Sequence, residues 1–281
     1  MVARADQLGT LAMSAWWTAA ARALESQRSD RLFDDPWAAL LIGQRYEALL
    51  SEQRLTRAEV GAFELYAVVT RFFDDFLLHI TTDCAVRQVV LVASGLDTRP
   101  FRLTWPPRTE LFELEQPALL TYKAAQLAHA GAAANCARHT VGVDLNRRWE
   151  DSLRAAGFNP SMPSVWLLEG FLYFLAEPAI LKLLAAITAL AAPASWIGLD
   201  IVNNGMLVSP DTRHWNEGMT ASGAPWLFSS DEPEALLAQF GWCAHSTEPG
   251  EGAAGYGRTP YGLRASSQRG APRSLLVTAT H

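Results

Sequence analysis

The stretch Val89-Val90-Leu91-Val92-Ala93-Ser94-Gly95-Leu96-Asp97-Thr98-Arg99 decides the fold. It begins with five apolar, mostly β-branched residues, the pattern of a strand buried on both faces. The run ends on Ala93, Ser94 and Gly95, small residues that let the backbone turn sharply and a ligand come close. A second apolar run, Leu111-Phe112-Glu113-Leu114, leads to Glu115, 20 positions after Gly95. Strand, tight turn and an acidic residue at the next strand end is how an α/β sheet holds a ribose, because one carboxylate accepts from both hydroxyls. Such charge-assisted bonds contribute roughly 1.5–3 kcal/mol each. The full G-x-G-x-x-G is missing, and an ordinary βα turn would show the same spacing.

The chain of 281 residues, 49% of them hydrophobic, is long enough to bury a sizeable core. Its net charge of −6 and pI near 5.5 argue against a nucleic-acid partner, which needs a basic face. Lys and Arg are scattered, with no run that would suit a membrane surface. Cys84, Cys136 and Cys243 are widely separated and form no C-x-x-C, which fits a reducing cytoplasm and gives neither a disulfide framework nor a metal site. No basic region followed by a long apolar run precedes Trp16-Trp17, so no signal peptide is expected. The apolar segment 181–192 contains Lys182, ends at Pro193 and is too short to span a bilayer. The expectation is a soluble cytoplasmic protein.

Residues 12 to about 80 read as helical throughout, with Asp35-Pro36 as a cap and a first-turn proline. Phe63, Tyr66, Val69 and Phe73 give a long amphipathic stretch within it. Strands are then expected near 88–93, 110–114, 138–143, 164–168, 195–202, 242–247 and 274–278. Helices are expected near 117–130, 148–157, 177–191 and 230–240. This alternation means a mostly parallel sheet covered on both faces. We therefore divide the chain into a helical cap, 1–80, belonging to the same domain as an α/β core, 81–281. Residues 203–229 interrupt the alternation as a possible lid, and 249–272 form a long loop.

Ligands of such sheets sit at the carboxyl ends of the central strands. Those ends carry Ala93-Ser94-Gly95, Glu115, Asp144-Leu145, Glu169-Gly170 and Asp200, so four of five hold a carboxylate. One such residue would be read as a helix cap. Four in succession point instead to a single ligand rich in hydroxyl and amine donors. An adenosine with a cationic amino-acid tail fits better than a dinucleotide, whose pyrophosphate needs amides and positive charge.

Several motifs resemble the leucine carboxyl methyltransferase-like family over roughly residues 15 to 280. They are Asp35-Pro36-Trp37, Thr70-Arg71-Phe72-Phe73-Asp74-Asp75, Ala93 to Arg99, Glu113-Leu114-Glu115-Gln116-Pro117, Val143-Asp144-Leu145 and Glu169-Gly170. The likeness is to its bacterial branch of S-adenosylmethionine-dependent methyltransferases, which includes polyketide carboxyl O-methyltransferases. The resemblance implies a class I methyltransferase fold, Rossmann-like, with a seven-stranded sheet and a helical cap. It implies that Ala93 and Gly95 approach the methionine part of S-adenosyl-L-methionine and that Glu115 holds the ribose. Asp144 and Leu145 would face the adenine, and Glu169 the cofactor's amino group or the substrate. Two positions depart from the family pattern. The ribose residue is usually Asp, and Glu115 is one methylene longer. Where members read Arg-Thr-Arg, this chain reads Val69-Thr70-Arg71, so the arginine that clamps the cofactor carboxylate is missing. Arg71 is the candidate replacement, although two positions along a helix is about 200° around its axis.

A carboxylic acid acceptor is already ionised at neutral pH, whereas a phenol gains from a general base. His214 in the possible lid is the candidate base, and Tyr173, one turn past Glu169, either faces the acceptor or is a core tyrosine. The other histidines, His79, His129, His139 and His245 among them, read as structural or solvent-facing. The aromatics Trp16, Trp17, Trp215, Trp226 and Phe228 suit a hydrophobic small-molecule acceptor. Asp74-Asp75 reads as a solvated helix face rather than a metal pair, and Asp97 with Arg99 as a pair that shapes the turn. The expected activity is O-methylation of a carboxylate, or less readily a phenol, in secondary metabolism. Two rivals are a repurposed fold that catalyses cyclisation or rearrangement without methyl transfer, and a non-catalytic binding protein.

Overall fold

A computed structural model describes residues 9–43, 57–221, 223–258 and 270–281. Among the described residues, seven strands form one sheet in the order β3-β2-β1-β4-β5-β7-β6. They are β1 (Gln88–Val92), β2 (Glu110–Glu115), β3 (Ala137–Gly142), β4 (Ser164–Leu168), β5 (Trp196–Val202), β6 (Cys243–Thr247) and β7 (Ser274–Thr280). β1 to β5 pair in parallel, and β7 runs antiparallel between β5 and β6. This is the mostly parallel sheet that the alternating pattern predicts, in the Rossmann-like class I arrangement that the resemblance implies, and each expected strand lies within two residues of its observed bounds. Strand order reverses between β1 and β4, and a ligand crevice belongs at that reversal.

Period-2 alternation sorts β1 between two cores. Val90 and Val92 join Phe112, Trp166, Leu184 and Ile187 on one face of the sheet. Val89 and Leu91 join Val68, Val69, Phe73 and Leu77 on the other. Burying each such side chain contributes roughly 1.5–3 kcal/mol. The helices covering the sheet, α5 (Pro117–His129), α6 (Glu150–Ala155), α7 (Glu177–Leu190) and α10 (Pro233–Ala238), fall inside their expected ranges. No periodicity signals α4 (Arg99–Arg102), a single turn that follows the β1 loop.

The helical cap departs from an unbroken helix. α1 (Gly9–Ser26) and α3 (Arg57–Thr82) are separated by a connection that contains only the short α2 (Ala38–Ile42) among its described residues. Residues 44–56, also expected to be helical, lie outside the described residues. Polar side chains stop α1: Glu25 Oε1 accepts the Leu32 amide at 2.7 Å, and Ser26 Oγ the Asp35 amide at 2.8 Å. Such local side-chain bonds compete with helix continuation. Asp35 acts as the cap expected of it, its Oδ1 accepting the amides of Trp37 and Ala38, each at 3.1 Å. The alanine-rich face of α1 (Ala15, Ala19, Ala20, Ala23) packs closely in the cap, and Trp17 stacks on Phe63 of α3 at 4.7 Å.

The interruption at 203–229 folds as α8 (Asn204–Val208) and α9 (Arg213–Ala221), with Asn203 capping α8 by accepting the Met206 amide. None of the described residues of that segment lines the cleft described below.

Candidate functional site

A cleft of about 460 Å3 lies across the carboxyl ends of β1, β2, β3 and β4 and is closed on one side by α1. Its floor is the turn after β1. Ala93 (φ 52°) and Gly95 (φ 48°) both adopt left-handed backbone, which costs a residue with a Cβ about 1–2 kcal/mol. A Cβ on Gly95 would stand 3.1 Å from Ala15 Cβ, so glycine is what lets α1 close over the turn. The Ser94 amide donates to the Leu114 carbonyl (3.1 Å), tying the turn to β2. Ser94 Oγ is buried there with no hydrogen-bond partner among the described residues.

Six of the seven residues expected to bind the cofactor line this one cleft: Ala93, Gly95, Glu115, Asp144, Leu145 and Glu169. Glu115 accepts the Gly95 amide at 2.9 Å and the Gln116 amide at 2.6 Å. Burial raises its pKa above the usual glutamate value, against the pull of those two amides. Asp144 is half exposed, accepts the Asn146 amide at 3.0 Å and lies 3.4 Å from Arg147. Glu169 accepts the Thr70 hydroxyl at 3.3 Å and pairs with Arg99 at 2.7 Å.

Arg71 is the exception, and its expected role is corrected. Its guanidinium donates to Asp75 (2.9 Å) and to the Leu32 carbonyl (2.8 Å) and lies over the Tyr256 ring, away from the cleft. The 200° offset is the reason, since it turns Arg71 to a different side of α3 from Val69. Val69 is 2% exposed within the apolar cluster under β1, so this position supplies packing and no charge.

The reading of Asp74 as solvated is also corrected. Asp74 is buried and accepts from Arg99 Nε (2.7 Å) and from both terminal nitrogens of Arg102 (2.5 and 2.7 Å), whereas Asp75 stays half exposed. Arg99 further donates to Asp97 (2.6 Å), the intra-turn pair the sequence suggested, and to the Thr70 carbonyl (3.2 Å). Burial alone would raise the Asp97 pKa, but Arg99, with Lys123, Arg22 and Arg102 further off, holds it well below the usual carboxylate range. The charged cleft residues that sequence reasoning did not place in the site are Arg22, Asp97, Arg99 and Lys182. Asp97 and Arg99 had a signal, as part of a quoted motif. The others come from a cap helix and a sheet-covering helix, with no periodicity pointing to the site.

Tyr173 and His214 do not line the cleft. Tyr173 is buried against Trp226 (ring centroids 4.7 Å) and shares a hydrogen bond with Tyr66, so of the two readings it takes the core one. Burial carries its pKa well above 10. His214 is exposed on α9. Behind Glu169, Asp200 at the β5 end is 5% exposed and accepts the Gly170 amide at 2.6 Å. Burial pushes its carboxyl up to about 7, the Gly170 amide opposing and Glu169 adding to the rise. Because the folded value exceeds the unfolded one, folding favours the protonated form. That stability is full below the unfolded pKa near 3.8 and is lost as pH rises through about 7. Asp200→Asn keeps the acceptor for Gly170. It is expected to stabilise the protein by about 1–3 kcal/mol at pH 8, with the gain vanishing by about pH 4, in urea unfolding curves.

The match to the leucine carboxyl methyltransferase family model covers residues 15–188. A relative from Saccharopolyspora erythraea, named "Putative S-adenosyl-L-methionine-dependent methyltransferase", is 38% identical over 97% of this chain and 96% of its own. One of the same description from Streptomyces coelicolor is 37% identical over 84% of each. This chain belongs to the leucine carboxyl methyltransferase family. Its fold is similar to that of a DUF574 family protein from Streptomyces avermitilis (TM-score 0.57, 13% identity, 94% of this chain and 97% of the other). It is also similar to an O-methyltransferase family protein from Burkholderia thailandensis (TM-score 0.53, 11% identity, 86% and 71%).

Proposed function

We propose that this chain is an S-adenosyl-L-methionine-dependent O-methyltransferase of the cytoplasm, acting on a carboxylate of a hydrophobic small molecule in secondary metabolism. The observation that carries this reading is that Glu115, Asp144 and Glu169, at the carboxyl ends of β2, β3 and β4 around the central β1, line one cleft. Its chemistry fits the cofactor. The left-handed turn at Ala93 and Gly95 lines the cleft, and it brings there the Ser94 Oγ, which has no partner among the described residues.

Glu115 would accept the ribose hydroxyls, using the second lone pair of each oxygen whose first is taken by an amide. Asp144 and Leu145 would face the adenine. Glu169 and Asp97 would face the cationic amino group, with Arg99 fixing both carboxylates in place. When bound, the cofactor supplies an electrophilic methyl group on a sulfonium. What the protein contributes is alignment and exclusion of water, and orientation alone can contribute about 7–11 kcal/mol. Phe171, Phe174, Leu175 and Leu183 give the cleft an apolar wall.

The described cleft lining contains no histidine. A carboxylate needs no base to react at neutral pH, whereas a phenol does, and this favours the carboxylate. Calorimetry with S-adenosylhomocysteine followed by a labelled-methyl transfer screen against acids and phenols tests the reading. Binding with transfer to apolar acids is expected, and no binding at millimolar ligand removes it. The burial of Val69 in place of the family's arginine favours one rival, a methyltransferase fold turned to cyclisation or rearrangement. Cofactor binding with turnover of an acceptor but no methylated product would establish that rival. Binding with no turnover of any kind would mark a non-catalytic binding protein.

A further inference from the structure

Among the described residues, three cationic side chains line the cleft: Arg22, Arg99 and Lys182. They are not equally available. Arg99 is committed to Asp74, Asp97, Glu169 and the Thr70 carbonyl. Lys182 reaches the Asn146 carbonyl at 3.4 Å, at the end of the cleft formed by residues 144–146. Arg22 on α1 is 6% exposed and donates Nε to Asp35 (2.9 Å) and Nη2 to the Leu96 carbonyl (2.6 Å). Its Nη1 has no acceptor among the described residues.

Arg22 is held from both sides. Asp35, its counter-charge, also accepts the Thr98 hydroxyl at 2.6 Å and the amides of Trp37 and Ala38. Leu96 belongs to the turn that carries Gly95 and Asp97, so the guanidinium is fixed at the β1 end of the cleft with a donor to spare. A guanidinium locked by two partners loses little entropy when it takes a third, and its fork matches a carboxylate. On α3, Val69 brings no charge and Arg71 is turned away.

We propose that Arg22 binds the carboxylate at the amino-acid end of the cofactor, so that the clamp absent from α3 is supplied by the cap helix α1. This rests on the cofactor reading above. The amino-acid tail then spans the β1 turn, its ammonium toward Asp97 and Glu169 and its carboxylate toward Arg22. Discrimination in favour of ligands that carry this tail depends on the cap.

The test compares two ligands by calorimetry: S-adenosylhomocysteine, which has the amino-acid tail, and methylthioadenosine, which lacks it. Arg22→Gln is expected to weaken the first by roughly 10- to 100-fold and leave the second within about 2-fold. Retained methylthioadenosine binding also shows that the variant is folded. If the affinity ratio of the two ligands is unchanged, the assignment is overturned. Should Arg22→Gln not fold, Arg22→Lys keeps a cation for Asp35 but has a single nitrogen in place of the fork. The same comparison then decides, with a smaller but tail-specific loss expected. Failure of the wild-type protein to bind either ligand overturns the cofactor reading itself, an outcome distinct from wild-type binding whose selectivity ignores Arg22.

Discussion

Arg99→Met is expected to lower the unfolding free energy by roughly 3–5 kcal/mol at pH 7, because it leaves buried carboxylates without their partner. The Arg99 side chain is 3% exposed and meets Asp74, Asp97 and Glu169 at 2.6–2.7 Å. Asp74 keeps Arg102, whereas Asp97 and Glu169 lose the guanidinium that pairs with both. The pH dependence has a definite sign. The Asp97 pKa is depressed in the folded wild type, so its contribution is present above the unfolded value near 3.8 and is lost as pH falls through the folded value. In Arg99→Met that contribution is gone at neutral pH, and the gap to wild type narrows once the pH drops below about 4. Urea unfolding at pH 7 and at about pH 3 measures both. A loss under about 1 kcal/mol at pH 7 would mean the network is neutral to stability.

Glu115→Ala is expected to weaken S-adenosylhomocysteine binding by at least roughly 100-fold, since two charge-assisted hydrogen bonds to a ribose are removed together. Glu115→Gln retains one acceptor and should fall between. The alternative is that Glu115 only staples the turn by accepting the Gly95 and Gln116 amides. In that case Glu115→Ala would lower thermal stability while nucleoside affinity tracks the loss of folded protein and nothing more. Burial raises the Glu115 pKa, so wild-type affinity should begin to fall at a higher pH than an exposed glutamate would dictate. Calorimetry at successively lower pH, starting from neutrality, should show that decline in the wild type and not in Glu115→Gln.

How much of this was legible in the sequence follows from the length scale of each signal. The strands and sheet-covering helices announce themselves through periodicity within a dozen residues, and β4 (Ser164–Leu168) coincides with its expected range. The carboxylates were legible because the fold rule places strand ends together: Glu115 and Asp144 share a cleft because β2 and β3 pair in register. The cations were not. Arg22 meets the Leu96 carbonyl across 74 positions, and Asp74 meets Arg99 across 25, contacts that no local pattern encodes. Asp74 and Asp75 illustrate the limit. They are adjacent in sequence, yet one is buried under two arginines and the other is half in water, because successive helical residues point 100° apart.

The described cleft wall holds four acidic groups, Asp97, Glu115, Asp144 and Glu169, against three basic ones, Arg22, Arg99 and Lys182. With all of them ionised, it carries an excess of one negative charge. A sulfonium nucleoside bears one net positive charge, and its thioether counterpart none. The wall therefore attracts the reactant form more strongly than the spent one, and the event that consumes the positive centre also loosens the grip on what remains.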